Sequence, residues 1–255
     1  MIDLDKNDFL ENFNDKGFYI VDSVLTKDFI DMIKIELKEA LRKEVEFMGT
    51  EKYKFYGYVL SNAKYGGLFL DIFNNNTIMN PINWILGENS TIYSYTSSSM
   101  PPFKGNDSSH PHVDCPVFIK DYVLRMGLML PLVDFTEENG ATWFLEGSHK
   151  EEKISSETFF YENADRLLVK AGSAFFFNTR LWHAGGKNKT DQWRHALTIN
   201  FCRPWMKQYI DTPRLLEQTD LSEVSNNVLQ KLGFYSQPPT SYEEYFDQGR
   251  KRLFL

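Results

Sequence analysis

Ser109-His110-Pro111-His112-Val113-Asp114-Cys115 is the stretch on which the reading of this chain turns. In an extended segment, side chains two apart leave the same face of the sheet. His112 and Asp114 then stand side by side, an imidazole next to a carboxylate, which suits two neighbouring ligands of one divalent metal. A His-x-Asp pair also arises by chance in ordinary strands and loops. A third ligand must therefore be found elsewhere, and the flanking chain must be β-structure. His110 shares the parity of His112 and is the rival ligand, although Pro111 interrupts regular pairing between them.

The flanking chain meets the second condition. Tyr122 to Val133 is a nearly continuous apolar run, as expected for a strand buried on both faces. Arg125 stands inside it, and a buried Arg requires an anion: a structural ion pair, or the acid group of a substrate. Thr136-Glu137-Glu138-Asn139-Gly140 is a turn, Ala141 to Leu145 a strand, and Glu146-Gly147-Ser148-His149 a second turn, whose His149 is expected to be structural. Leu167-Leu168-Val169 and Ala174-Phe175-Phe176-Phe177 bracket a turn at Ala171-Gly172-Ser173. Leu181-Trp182-His183 and Arg194 to Phe201 are strands joined by the polar loop from Ala184 to Asp191, in which Asn188 is a loop hydrogen-bonder. Upstream, Thr91 to Tyr95 opens the run. Many short strands separated by polar turns predict a sandwich, barrel or jelly roll.

Helical patterns lie on both sides. Asn7 is a cap for a short helix that Gly17 ends, and Phe18-Tyr19-Ile20-Val21 reads as a strand. Thr26 caps a longer amphipathic helix with Phe29, Ile33, Leu37 and Leu41 on one face. Asn80-Pro81 starts a further helix that Gly87 stops. Val224, Val228 and Leu232 share one helix face. Glu46 to Gly67, Tyr95 to Ser108 and the tail after Trp205 are irregular and rich in polar and aromatic residues, which suits a lid or pocket wall.

The bulk numbers fit a single domain over 1–255: a helical part over about 1–90, a jelly-roll core over about 91–205 and a helical tail over about 206–255. The composition is globular, 42% hydrophobic and 25% charged. A formal net charge of -7 argues against a general nucleic-acid partner, and no basic run suits an anionic membrane. Met1-Ile2-Asp3-Leu4-Asp5 lacks a basic region followed by an apolar run, so no secretory signal is expected. Cys115 and Cys202 read as buried thiols of a cytoplasmic protein. No oligomeric state is read from the sequence.

Of the five His, His183 is the best third ligand. It ends an apolar strand where an unpartnered imidazole is costly to bury, and the Gly-Gly loop after it turns the chain back. Arg194 follows eleven positions on. If the two strands pair, its guanidinium lies beside His183 and can grip a carboxylate with two parallel hydrogen bonds. Two His and one carboxylate with open opposite positions is the donor set of non-haem Fe(II) oxygenases. A metal beside a fixed Arg invites a ligand that chelates at one end and carries a carboxylate at the other, the shape of 2-oxoglutarate.

This pattern resembles the Fe(II)/2-oxoglutarate oxygenases, and the surrounding words resemble the phytanoyl-CoA dioxygenase family. Thr136 to Trp143 followed by Gly147-Ser148-His149-Lys150 is similar to one family stretch. Leu181-Trp182-His183-Ala184-Gly185-Gly186-Lys187-Asn188 is similar to its distal His motif, and Lys16 to Val21 to its start. The match runs from about Phe9 to Arg203. The resemblance implies a mainly β fold with flanking helices, the cupin-like double-stranded β-helix. It implies His112, Asp114 and His183 as the iron ligands and catalytic centre. It implies Arg194 on the distal carboxylate of 2-oxoglutarate, with Trp143 and Ser109 as further cosubstrate contacts.

The activity so implied is a dioxygenase that consumes 2-oxoglutarate and O2, releases succinate and CO2, and hydroxylates a C–H bond of a small-molecule metabolite or natural-product intermediate. Asp114 favours this over halogenation, for which the carboxylate gives way to a small residue. Desaturation, epoxidation or cyclisation at the same iron is the alternative within the class. A non-catalytic jelly-roll binding or sensor protein is the alternative outside it, and has no use for an open iron site. A zinc hydrolase on the same triad leaves Arg194 without a role.

Overall fold

Asp5 caps α1 (Lys6–Lys16), its carboxylate accepting from the N–H groups of Asn7 and Asp8. The cap expected at Asn7 is thus two residues earlier, where a charged acceptor meets the first free N–H groups. The structure is a computed structural model that describes residues 2–49, 57–105, 109–153, 156–247 and 249. The parts of the expected pocket walls at 50–56 and 106–108 lie outside the described residues. Gly17 ends α1 at φ 85°, and β1 (Phe18–Val21) follows. Thr26 caps α2 (Lys27–Met48) as its position predicts. Ile30, Ile33, Leu37 and Ala40 form its buried stripe, with Phe29 and Leu41 at the margin. After the short α3 (Leu68–Asp71), α4 runs Asn76–Leu86. Its expected start at Asn80-Pro81 is corrected. Asn75 caps the helix by accepting from Thr77 N–H, and Pro81 lies inside. Burial of Ile78 and Met79 in the added turn offsets the hydrogen bond that proline cannot make.

The strands are β2 (Thr91–Ser97), β3 (Arg125–Pro131), β4 (Trp143–Phe144), β5 (Asp165–Arg166), β6 (Ala174–Asn178), β7 (His183–Ala184) and β8 (Ala196–Cys202). Antiparallel pairing gives a five-stranded sheet in the order β1-β6-β3-β8-β2 and a three-stranded sheet in the order β5-β4-β7. A further bridge between His112 and His183 adds the quoted stretch to the edge of the smaller sheet. The two sheets face each other as the halves of a jelly roll. β3 is buried along its whole length, as the apolar run requires, although it is shorter than Tyr122 to Val133. Gly127 is in it because a Cβ there would meet the Phe177 ring at 2.1 Å. Leu167-Leu168-Val169 is not a strand; the pairing sits just before it, at Asp165–Arg166.

Alternation divides the larger sheet. Leu128, Leu130, Phe176, Leu197, Ile199 and Phe201 face outward into one apolar cluster with α1, α2, α3 and α4. On the smaller sheet, Trp182 and Ala184 pack outward against Phe160 of α5 (Glu157–Asn163). The tail adds α6 (Thr212–Leu215), α7 (Asn226–Leu232) and α8 (Tyr242–Phe246). Val228 and Leu232 of α7 join the outer cluster, and the buried Lys231 ammonium bonds Asn83, Ser90 and the Glu88 carbonyl. No helix among the described residues is long and apolar enough to cross a membrane.

One expected pairing does not form. β7 pairs with β4, and β8 pairs with β3 and β2, so His183 and Arg194 are not neighbours on one sheet. The loop between them crosses from the smaller sheet to the larger. Asn188 holds it, fully buried, donating to the carbonyls of Pro101 and Gln192 and accepting from Thr190. The two residues therefore face each other across the interior.

Candidate active site

Between the sheets lies a cavity of about 430 Å³, lined among others by His112, Asp114, His183, Arg125, Arg194 and Asn200. The first three come together through the extra bridge. His112 N–H donates to His183 O at 2.9 Å and His183 N–H to His112 O at 3.0 Å, which brings the two imidazoles together, tilted at 53° with centroids 4.3 Å apart. Asp114 follows on the same side. Its Oδ1 is 3.7 Å from His112 Nε2 and 3.5 Å from His183 Nε2. The three donor atoms lie within 4.8 Å of one another.

The imidazoles are oriented for a metal. His112 Nδ1 meets His110 O at 2.8 Å and His183 Nδ1 meets Leu181 O at 2.9 Å. A carbonyl only accepts, so each Nδ1 carries the proton and each Nε2 presents a lone pair inward. Asn200 Nδ2 donates to Asp114 Oδ2 at 3.2 Å, leaving Oδ1 turned to the imidazoles. Burial alone would raise the Asp114 carboxyl, but His183, then His112 and the Asn200 bond, outweigh it and hold it at about 2. Burial and His183 lower His112, whereas for His183 burial is the largest single influence but the Asp114 charge, the Asp114 hydrogen bond and the Leu181 carbonyl together outweigh it and raise it. Two neutral-nitrogen donors and one firmly ionised carboxylate fit a divalent ion of borderline hardness. His110 itself points away, its side chain exposed near Glu157; its carbonyl, not its ring, serves the cluster.

Arg194 enters from the larger sheet and is 1% exposed. Its Nη1 donates to Gly140 O, its Nη2 reaches Ser98 O at 3.5 Å, and its guanidinium lies 4.5 Å over the Phe135 ring. Among the described residues it has no carboxylate partner, and its Nε has no acceptor. Burial, then Arg166, pulls it down to about 10. A charge so placed calls for an anion from outside the chain. The turn that receives it explains two glycines. Gly140 sits at φ 79°, and a Cβ on it would meet Gly186 O at 2.7 Å, while one on Gly186 would meet Ala141 O at 2.7 Å.

Two expected contacts lie elsewhere. Trp143 does not line the cavity: alternation along β4 turns it outward, under the Arg166 guanidinium at 4.3 Å and against Tyr161. Thr142, its neighbour, faces in instead. Ser109 is not among the lining residues either, and its carbonyl accepts from Tyr161 Oη at 2.8 Å. His149 fixes its turn by bonding Asn14 O at 3.1 Å. His195, opposite in parity to Arg194, bonds Ser99 Oγ at 2.9 Å and stacks on Trp193.

Sequence reasoning missed Thr198 and Asn200, which share the parity of Arg194, and Met129, which shares that of Arg125. The signal was period two along strands already assigned. The walls draw Gly57 and Tyr58, Thr96 to Ser99, and Tyr209 from the three irregular segments.

Comparison with known proteins agrees with this architecture. The family model described as phytanoyl-CoA dioxygenase (PhyH) matches residues 13–196. Rv1501 of Mycobacterium tuberculosis, an uncharacterized protein, is 27% identical over 93% of this chain and 90% of its own. The non-heme monooxygenase ThoJ superposes with a TM-score of 0.61 at 21% identity, over 79% of this chain and 80% of that one. The epimerase SnoN, solved with Fe3+ and alpha ketoglutarate, does so at 0.59 and 16% identity, over 77% and 82%. The structural likenesses show the shared double-stranded β-helix. The chain belongs to the phytanoyl-CoA dioxygenase family, and with it to the Fe(II)/2-oxoglutarate-dependent oxygenases.

Proposed function

We propose that this member of the family hydroxylates a C–H bond of a small-molecule metabolite or natural-product intermediate, consuming 2-oxoglutarate and O2 and releasing succinate and CO2. The observation that carries the reading is Arg194: a buried guanidinium with no anion among the described residues, facing a His-Asp-His cluster across one cavity. Bound iron with 2-oxoglutarate supplies an oxidant strong enough for an unactivated C–H bond. In this proposal His112 and His183 give their Nε2 lone pairs to the metal, and Asp114 gives Oδ1 while Asn200 holds Oδ2. Arg194 takes the distal carboxylate of 2-oxoglutarate, and Thr198 Oγ1, buried without a hydrogen-bond partner among the described residues, adds a polar contact on the same strand face. Met129 and Phe177 close the interior side with apolar surface and keep water from the reacting centre.

The test is a screen of candidate metabolites under ¹⁸O2, with succinate and product analysed by mass. Hydroxylation puts one labelled atom in succinate and one in the product. A product that loses two hydrogens, or one isomerised without label, assigns the site to desaturation or to the epimerisation that SnoN is named for. Absence of 2-oxoglutarate consumption with every candidate counts against the reading.

A further inference from the structure

Arg125 is the second arginine of the cavity, and the proposed chemistry does not use it. It enters from β3, is 5% exposed, and lines the same space as the triad. Its guanidinium lies 4.1 Å over the Tyr93 ring, and its Nη2 donates to the Asp114 carbonyl. Nε is buried with no acceptor among the described residues, and no carboxylate pairs with the group there. Of the two partners open to a buried arginine in this strand, the structural ion pair is not formed among the described residues.

Its position separates it from Arg194. Arg125 pairs across the sheet with Cys202, at one end of β8, whereas Arg194 bridges Met100 before the other end. Asp114 lies on the Arg125 side, through its carbonyl and through Asn200. A diacid chelated at the triad and gripped by Arg194 therefore extends away from Arg125. The guanidinium is left beside the open part of the cavity, among Tyr58, Tyr93 and Tyr209.

Charge leads to the same place. Asp114 is the one carboxylate among the described lining residues, against Arg125 and Arg194. A divalent metal and a dianionic 2-oxoglutarate cancel each other. Among the described lining residues one positive charge then remains, and the Arg125 side chain is itself buried, where an unmet charge is costly.

We infer that Arg125 and the three tyrosines form the recognition site for an anionic group, a carboxylate or phosphate, on the primary substrate. This rests on the iron and 2-oxoglutarate reading, and it narrows the substrate to a small anionic molecule whose charged end is held near Tyr93 while the rest reaches the triad. The planar, always-charged guanidinium stacked on a ring is preorganised for such an oxyanion.

The test uses the full-length protein loaded with Ni(II), which is redox-silent, and saturated with 2-oxoglutarate. Calorimetry first measures 2-oxoglutarate binding; its failure in the wild type would strike the underlying reading and not this one. Phenylacetate is then titrated against phenylacetamide, and phenyl phosphate against phenol. The expected result is that at least one anion binds tenfold or more tightly than its neutral twin. Arg125→Met should reduce that ratio to within twofold while 2-oxoglutarate affinity stays within threefold, and Arg125→Lys should keep a fivefold preference. Arg194→Met should show the converse, weak 2-oxoglutarate binding with the preference intact. Equal binding of both twins in the wild type, a preference that survives Arg125→Met, or loss of 2-oxoglutarate binding in Arg125→Met would each overturn the assignment.

Discussion

The two faces of strand β8 make opposite demands on its residues. Leu197, Ile199 and Phe201 point outward into the apolar cluster under the helices, where every contact is dispersion and buried area. Thr198 and Asn200 point inward, in step with Arg194, and leave polar atoms without partners among the described residues. One strand therefore holds a stabilising face and a costly one, and the difference shows where the fold's stability is spent on function. Substitutions on the two faces should separate stability from turnover.

The largest effect is expected opposite the inner face. His183→Ala should lower 2-oxoglutarate turnover by about 10³-fold or more, since even partners behind a metal ligand are worth 10–100-fold. The melting temperature should move little, because the ring faces a cavity. A variant that keeps full turnover would remove His183 from the metal set. Arg194→Met should raise the 2-oxoglutarate KM by about 30-fold or more, the scale of a lost buried charge contact. The measurement is steady-state kinetics, and an unchanged KM would sink the clamp.

On the outer face, Ile199→Ala should cost about 2–5 kcal/mol in urea unfolding while kcat at low temperature is retained. If kcat falls as far as stability, the two faces are not separable. The smallest effect is expected at the crossover between them. Burial, then Lys38 and Lys34, pushes the His195 imidazole down to about 4. It is neutral in the folded protein, so its contribution is complete above the ordinary value of about 6.5 and is lost as pH falls from there toward 4. At pH 5.5 the loss is about 1 kcal/mol relative to pH 7.5. His195→Gln, able to keep the Ser99 contact, should flatten that part of the stability profile, and an unaltered slope would contradict the assignment.

The legible part of the site was the part written in unusual residue types. His183 stands out at the end of an apolar strand because an imidazole is expensive to bury there, His112 and Asp114 stand out by their spacing, Arg194 by its place after the Gly-Gly loop, and the structure brings all four to one cavity. What could not be read was which sheet each strand joins. Proximity in the chain suggested that His183 and Arg194 pair, whereas the jelly roll sends the two flanking strands to opposite sheets. Trp143 and Thr142 show the same limit at the scale of one residue. The sequence places both on β-structure, but which of them faces inward depends on the register set by Ala184 and Arg166 across the sheet. Helix ends were similar: Asn80-Pro81 reads as a cap and first turn, whereas burial of Ile78 and Met79 carries the helix back to a cap at Asn75. Gly140 was legible as the end of a turn, but neither it nor Gly127 was legible as a space for the Gly186 backbone or for Phe177, which only the packed structure specifies.

The central claim is that the two sheets enclose one site for iron and 2-oxoglutarate together. The most direct measurement is the visible spectrum of the protein mixed anaerobically with Fe(II) and then 2-oxoglutarate. The account predicts a weak charge-transfer band that appears only with both present and is lost in His183→Ala. Metal-loaded wild-type protein that binds 2-oxoglutarate without developing that band would contradict it.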